Sequence, residues 1–230
     1  GGSAGANSGV GGGAQDGAFV IPGPIVLALF DRSGAWPRPY ADVGARVITV
    51  DLLPALPGTL YSGREHMECD VREVGKWIAP ACGVAIVLAA PPCDHFAGSG
   101  AQYWAEKDVD GRTAEAVALV RDTLGLIRSL RPRAWALENP VGRLRKLVPE
   151  VGPVRLQWDP CDYGDPYTKR TQLFGNFNAA LTRSPVEPER SCSQGSWLMR
   201  LGGKSEKTKT LRSTPPSGFA RAFCSANPPD

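Results

Sequence analysis

The sequence has almost no excess of either charge: 26 Lys and Arg stand against 23 Asp and Glu, a formal net of +3 in 230 residues. Such a balance permits contact with nucleic acid without arguing for it, and any basic surface has to be local. Histidine is scarce, with two residues, and the six cysteines (Cys69, Cys82, Cys93, Cys161, Cys192, Cys224) contain no Cys-x-x-Cys pair, so structural zinc, or any other metal, is not expected. Thiols dispersed in this way suit a reducing compartment better than a disulfide scaffold, which points to the cytoplasm of a bacterium or a phage-infected host cell. No apolar run reaches the length of a membrane span, and the first residues lack the basic start and apolar stretch of a signal peptide. The expectation is a soluble monomer with no membrane partner.

What is present suffices for one α/β domain, since 42% of the residues are hydrophobic. Residues 1–20 are mostly Gly, Ser and Ala, the composition of a flexible segment, and the folded domain is expected over 21–230. Ile25 to Phe30 reads as a wholly apolar strand followed by a Gly-containing turn, and Arg46 to Val50 as a second strand ending on Asp51. Glu68 to Val71 is expected to be a short edge segment, and Gly83 to Ala90 a buried strand stopped by Pro91-Pro92. A helix follows over Arg112 to Leu130, with Val117, Val120, Leu124 and Ile127 on one stripe. Ala134 to Leu137, Val154 to Trp158 and Gln172 to Phe177 complete the extended stretches. This alternation predicts a mostly parallel seven-stranded sheet with helices on both faces, whose ligands gather beyond the carboxyl ends of the strands.

Three constellations fall at those ends. Pro91-Pro92-Cys93 follows an apolar strand directly, and two prolines fix the backbone that presents the thiol. Glu138, in Leu137-Glu138-Asn139-Pro140, ends another strand. With Cys93 it makes a pair suited to a poor aromatic electrophile: thiolate adds at C6 of a pyrimidine while a carboxyl group engages N3 and absorbs the developing charge. Tyr163 to Thr171 carries Lys169 and Arg170 just before a strand, where cations can steady a base or its phosphate. Phe30-Asp31-Arg32-Ser33-Gly34-Ala35-Trp36 forms the first strand-to-helix turn, and Asp51, about twenty residues on, stands where an acid can hold a ribose diol.

In this order the residues resemble the cytosine-C5 DNA methyltransferase family, in its compact, phage-encoded form. Ala90-Pro91-Pro92-Cys93 resembles the nucleophile motif, Glu138-Asn139-Pro140 the Glu-Asn-Val motif, and Tyr163-Gly164-x-Pro166 the start of the Gln-x-Arg-x-Arg motif. Phe30 to Gly34 is similar to the Phe-x-Gly-x-Gly turn, Asp51 to the ribose-binding acid, Asp70 to the adenine-side acid, and Ser213 to Arg221 to the closing motif of the donor pocket. The resemblance spans about Ile25 to Asn227. It implies a Rossmann-like class I S-adenosylmethionine-dependent methyltransferase fold and catalysis by Cys93, Glu138, Lys169 and Arg170. A donor pocket of Phe30, Ser33, Gly34, Trp36, Asp51, Leu52, Asp70, Val71, Pro91 and Thr214 is implied as well. The target cytosine, in double- or single-stranded DNA, would be swung out of its stack, and Cys93 would need a lowered pKa or a ready proton acceptor.

The chain departs from the family pattern at three places. Arg32 replaces the first glycine of the donor turn, and Ala28 the acid that often begins it. In the cation motif, Tyr167, Lys169 and Thr171 stand at the Gln, Arg and Arg positions, with Arg170 beside. Residues 178–212 are all that remain for target recognition before a closing segment at 213–227. Short sequence specificity is therefore expected, with phosphate contacts from Arg143, Arg145, Lys146, Lys204, Lys207 and Lys209. Two other readings stay open: an RNA-directed (tRNA-type) enzyme of the same core, and an idle module that binds donor or nucleic acid without turnover.

Overall fold

A computed structural model describes residues 23–189 and 205–230. The Gly-rich segment expected over 1–20 and most of the second half of 178–212 lie outside the described residues.

Seven strands form one sheet: β1 (Ile25–Leu29), β2 (Arg46–Asp51), β3 (Arg64–Glu68), β4 (Val84–Ala89), β5 (Ala134–Pro140), β6 (Val154–Trp158) and β7 (Thr171–Asn176). Their order is β3-β2-β1-β4-β5-β7-β6. The pairs from β3 to β5 are parallel, whereas β7 lies antiparallel to both β5 and β6. The helices are α1 (Arg38–Asp42), α2 (Trp104–Val109), α3 (Arg112–Leu130), α4 (Leu144–Leu147), α5 (Glu206–Ser213) and α6 (Ser217–Ala226). Among the described residues, no helix is long and apolar enough to cross a membrane.

Burial on both faces explains the unbroken apolar strands. Leu27, Leu29, Val50, Val87, Leu137 and Phe174 point to one side, onto Val120, Leu124 and Ile127 of α3. Val26, Ala28, Val47, Ile86, Leu88, Ala136 and Leu173 point to the other, where Tyr40, Trp36, Phe219 and Phe223 cover them. The period of two along each strand supplies both layers at once.

The edge strand differs from expectation. It is Arg64–Glu68, and the stretch expected as strand, Glu68 to Val71, leads into a 3₁₀ helix over Val71–Lys76 capped by Asp70, whose Oδ1 accepts from the Arg72 amide at 2.9 Å. Arg-Glu-His-Met-Glu shows no apolar alternation because its inward residue, Arg64, is buried for its hydrogen bonds rather than its hydrocarbon.

The direction of β7 matters most for function. Glu138 pairs with Leu173, Asn139 with Gln172 and Pro140 with Thr171, so the amino end of β7 meets the carboxyl end of β5. The two cations preceding Thr171 are thereby delivered to the rim where Glu138 sits. A parallel β7 would have left them at the opposite edge.

Candidate active site

A cavity and a cluster of polar side chains share one loop at this rim. The cavity, of about 420 Å³, lies beyond the ends of β1, β2 and β3 and is within the range of small-molecule sites. Of the residues assigned to a donor pocket, Phe30, Ser33, Asp51, Leu52, Asp70 and Val71 line it. Asp31, Ala90, Pro92 and Ser213, which belong to quoted motifs without having been assigned to the donor, line it too, as do Cys69, Leu119 and, from α5, Thr210, which no motif contained.

The turn after β1 is unusually constrained. Phe30 adopts φ +61°, a left-handed conformation that a bulky residue rarely takes. The Asp31 amide donates to the Val50 carbonyl at 3.1 Å, and Asp31 Oδ1 accepts from the amides of Ser33 and Gly34 and the hydroxyl of Ser33, all within 2.8 Å. Arg64, 7% exposed, reaches in from β3 and donates to the carbonyls of Arg32, Ser33 and Thr59 and to the hydroxyls of Thr49 and Thr59.

Gly34 needs correction on this point. Its φ is +64°, and a Cβ there would sit 2.5 Å from the Arg64 guanidinium carbon. The space its missing side chain frees is taken by arginine, so Gly34 serves the turn rather than a close approach to a ligand. Trp36 is corrected likewise. It is 2% exposed, sits in an aromatic cluster 5.8 Å from the ring of Phe219 and 5.5 Å from that of Phe223, and lines only a minor recess beneath the cavity. Pro91 is buried, and Thr214 donates to the Thr210 carbonyl at 2.8 Å as it closes α5; neither lines the cavity. The covering segment begins earlier than 213, because Thr210 already faces the hollow.

At the ends of β2 and β3 the acids are held from behind. Asp51 Oδ1 accepts from the Leu53 amide at 3.0 Å, and burial pushes its carboxyl above the ordinary range, against the pull of that bond and of nearby Arg32. Asp70 and Asp122 share Arg72, at 3.6 and 3.3 Å.

Beside the cavity, Cys93, Glu138 and Lys169 form a cluster of interacting side chains. Two backbone bonds stitch the loop after Cys93 to the loop after β5, from the Gly98 amide to the Val141 carbonyl and from the Arg143 amide to the Phe96 carbonyl, each 2.9 Å. They hold the loop after Cys93 against the loop after β5, and thiol and carboxyl are close enough to interact. Lys169 Nζ lies 3.9 Å from Glu138 Oε1, both side chains largely shielded, at 28% and 17% exposure.

The thiol is not poised as a thiolate. Burial raises the pKa of Cys93, the negative Glu138 raises it further, and Lys169 opposes them. The expected lowering is therefore absent, and of the acids acting on the thiol Glu138 has the larger effect, ahead of Asp94. Arg170 is engaged elsewhere: its Nε donates to buried Asp159 at 2.6 Å while the side chain stays 60% exposed.

Arg143 is no phosphate ligand in waiting. It grips both oxygens of Asp108 at 2.7 Å, donates to the His95 carbonyl and the Thr113 hydroxyl, and lies over the Trp104 ring at 4.4 Å with 11% of its side chain exposed. Beside it, Lys107 donates to the Asp94 carbonyl at 2.6 Å. Together these contacts fasten α2 over the residues that follow Cys93. Arg145 and Lys146 remain exposed, whereas Lys204 and the side chains of Lys207 and Lys209 lie outside the described residues.

The presence of a methyl donor can be tested against these residues. The large cavity offers carboxylates at the end of each of its first three strands, apolar walls at Leu52, Val71 and Leu119, and one buried carboxylate oxygen, Asp31 Oδ2, that has no hydrogen-bond partner. A ligand with a sulfonium, an ammonium and a ribose diol fits such a lining.

No family model matches the chain, and no curated protein matches it. Among solved structures, a protein described as a DNA modification methyltransferase encoded within a prophage (E. coli) is similar at 16% identity and a TM-score of 0.44, over 72% of this chain and 52% of that one. The bifunctional kinase-methyltransferase WbdD is similar at 14% identity and a TM-score of 0.41, over 72% of this chain and 38% of that one. The chain thus spans about half the length of the first and under two fifths of the second. Likenesses this distant carry no argument about activity. The strand order β3-β2-β1-β4-β5-β7-β6, parallel from β3 to β5, is the Rossmann-like α/β arrangement expected from the sequence.

Proposed function

We propose that the chain transfers a methyl group from S-adenosylmethionine to C5 of cytosine in DNA, through a covalent bond between the Cys93 sulfur and C6 of the base. One observation carries the reading. Within a single loop, Ala90 and Pro92 line the large cavity while the next residue, Cys93, faces Glu138 and Lys169. A methyl donor held in the cavity and a pyrimidine held against Cys93 and Glu138 would thus be neighbours.

In this reading Asp51 holds the ribose diol, Asp70 and Val71 flank the adenine, and the turn from Phe30 to Ser33 takes the amino-acid end. The donor, when bound, supplies an electrophilic methyl group. The chain's own residues manage the proton and the nucleophile. Glu138, which opposes ionisation of Cys93 while charged, ceases to do so once it takes the thiol proton. It then hands that proton to N3 as sulfur bonds to C6, so charge never accumulates on both groups. Lys169 steadies whichever of the two is negative. After transfer, the C5 proton leaves to solvent, the carbon–sulfur bond breaks, and the N3 proton returns through Glu138 to the sulfur, which restores both the aromatic ring and the thiol.

The test uses an oligodeoxynucleotide containing 5-fluorocytosine, whose fluorine cannot leave as a proton does. With donor present, wild-type protein is expected to form an adduct that survives denaturation and maps to Cys93, and Cys93→Ala to form none. Absence of an adduct across varied DNA contexts overturns the DNA reading, and an adduct with the RNA analogue alone transfers it to RNA.

A further inference from the structure

We propose that His66 is a positioning residue that sets the orientation of Asp51, and so the preference of the large cavity for a ligand bearing a vicinal diol. The inference rests on that cavity being the donor site. His66 is one of two histidines in the chain and belongs to none of the family motifs. It lies half-buried on the edge strand β3, in register with Thr49 of β2. Both ring nitrogens are engaged: Nδ1 lies 2.9 Å from the Thr49 hydroxyl and Nε2 2.9 Å from the Leu53 carbonyl.

The partners decide where the ring proton sits. A carbonyl only accepts, so Nε2 carries a proton and donates it to Leu53. Thr49, fully buried, accepts from Arg64 Nε at 3.1 Å, and its own proton goes to Nδ1, which is closer than the Glu65 carbonyl at 3.2 Å. Leu53 is thus held at both of its backbone groups, its carbonyl by His66 and its amide by Asp51 Oδ1 at 3.0 Å. The loop has little core of its own to keep it still, since Leu52 is 70% and Leu53 50% exposed. Fixing Leu53 fixes the plane of the Asp51 carboxylate, and with it the station of Oδ2. Asp51, Leu52 and Leu53 line the cavity and His66 does not, so the imidazole acts through them. A carboxylate accepts from two adjacent hydroxyls only when both of its oxygens face them, so a tilt costs the bonds to a diol and spares other contacts.

Isothermal titration calorimetry with S-adenosylhomocysteine and its 2′,3′-dideoxy analogue tests the assignment without reference to turnover. Three substitutions divide the two hydrogen bonds of the ring. His66→Gln brings an amide NH₂ near the place of Nε2 and keeps the bond to Leu53, His66→Asn reaches only the place of Nδ1 and keeps the bond to Thr49, and His66→Ala keeps neither. The expected result is a loss of about 3- to 10-fold in affinity for S-adenosylhomocysteine with Asn or Ala, and less than about twofold with Gln. Affinity for the dideoxy analogue should stay within about twofold in all three. Equal binding of S-adenosylhomocysteine by wild type and His66→Ala overturns the role of His66 and leaves the donor site standing. An equal loss of both ligands, or retention with Asn in place of Gln, overturns it too. Wild-type protein that binds neither ligand overturns the donor site itself, and this inference with it. In the unaltered protein, which involves no folding question, ¹⁵N NMR of the imidazole should show a proton on Nε2, and a bare Nε2 overturns the proposal.

Discussion

Cys93 sits between two opposing charges, and that balance makes its resting state measurable. Burial and Glu138 hold the thiol in its protonated form while Lys169 pulls the other way. Alkylation by iodoacetamide, followed on the Cys93 peptide by mass spectrometry, should accordingly be slow at neutral pH and accelerate as the pH rises past the ordinary cysteine range. Glu138→Gln removes the like charge and should speed alkylation at a fixed pH, whereas Lys169→Ala should slow it. The opposite ordering would mean that the three side chains do not share a site. Asp51 carries a different sign. Because burial raises its carboxyl, the folded state binds this proton more tightly than the unfolded chain does, so stability falls as the pH climbs through that carboxyl's range. A binding role is a physical reason to retain an acid in such a place.

Among the elements, α2 is held by side chains rather than by a core of its own, since none of its residues is buried. Its anchor is Arg143, which pushes the Asp108 carboxyl down to about 2. A carboxyl lowered in the folded state stabilises above its unfolded pKa of about 3.9 and loses that contribution as the pH falls toward the folded value. Arg143→Ala should therefore lower Tm by an amount that is constant above roughly pH 5 and shrinks between about pH 4 and 2. Amide exchange should quicken over 94–113 while β1 and β2 keep their protection. A Tm difference that does not vary with pH would remove Asp108 from the account. The sequence could not show this anchor, because a cation followed by two more reads as a basic run and its partner lies thirty-five positions away. The strands β1, β2 and β4 were legible for the opposite reason: buried on both faces, they spell their burial in consecutive apolar letters. Strand β3 was displaced because its buried residue is an arginine, and Asp31 passed unnoticed because an acid in a Gly-containing turn looks like turn chemistry until its two oxygens are seen apart.

Taken as one molecule, the described chain is closed by contacts between its early and late segments. The Tyr40 hydroxyl donates to the Asn227 carbonyl at 2.9 Å, and Phe219 of α6 stacks on Trp158 at 3.8 Å with the rings 8° from parallel, while Trp36 tilts against both Phe219 and Phe223. Phe219 is fully buried. Its truncation to alanine should cost about 3–5 kcal/mol, a fall in Tm of roughly 6–20 °C for a chain of this size. Because Trp36 follows the turn that lines the cavity, the same variant should weaken S-adenosylhomocysteine binding if the proposed function holds, and calorimetry showing unchanged affinity would separate the aromatic cluster from the cavity. The order of Cys93 and Glu138 along the chain was readable without coordinates. The meeting of Glu138 with Lys169 was not, since it depends on which way β7 runs, and apolar spacing is blind to direction.

The reversed strand also acts as a ruler. Leu173 and Phe174 belong to opposite layers of the molecule, so sliding β7 by one residue would exchange them, and the packing forbids it. Sliding by two keeps the faces but brings a side chain to the place of Gly175, where a Cβ would meet the Trp135 carbonyl oxygen at 2.2 Å, so packing forbids that as well. Changes in length between Trp158 and Thr171 are therefore taken up by the connecting loop, and the lysine keeps its station opposite Glu138.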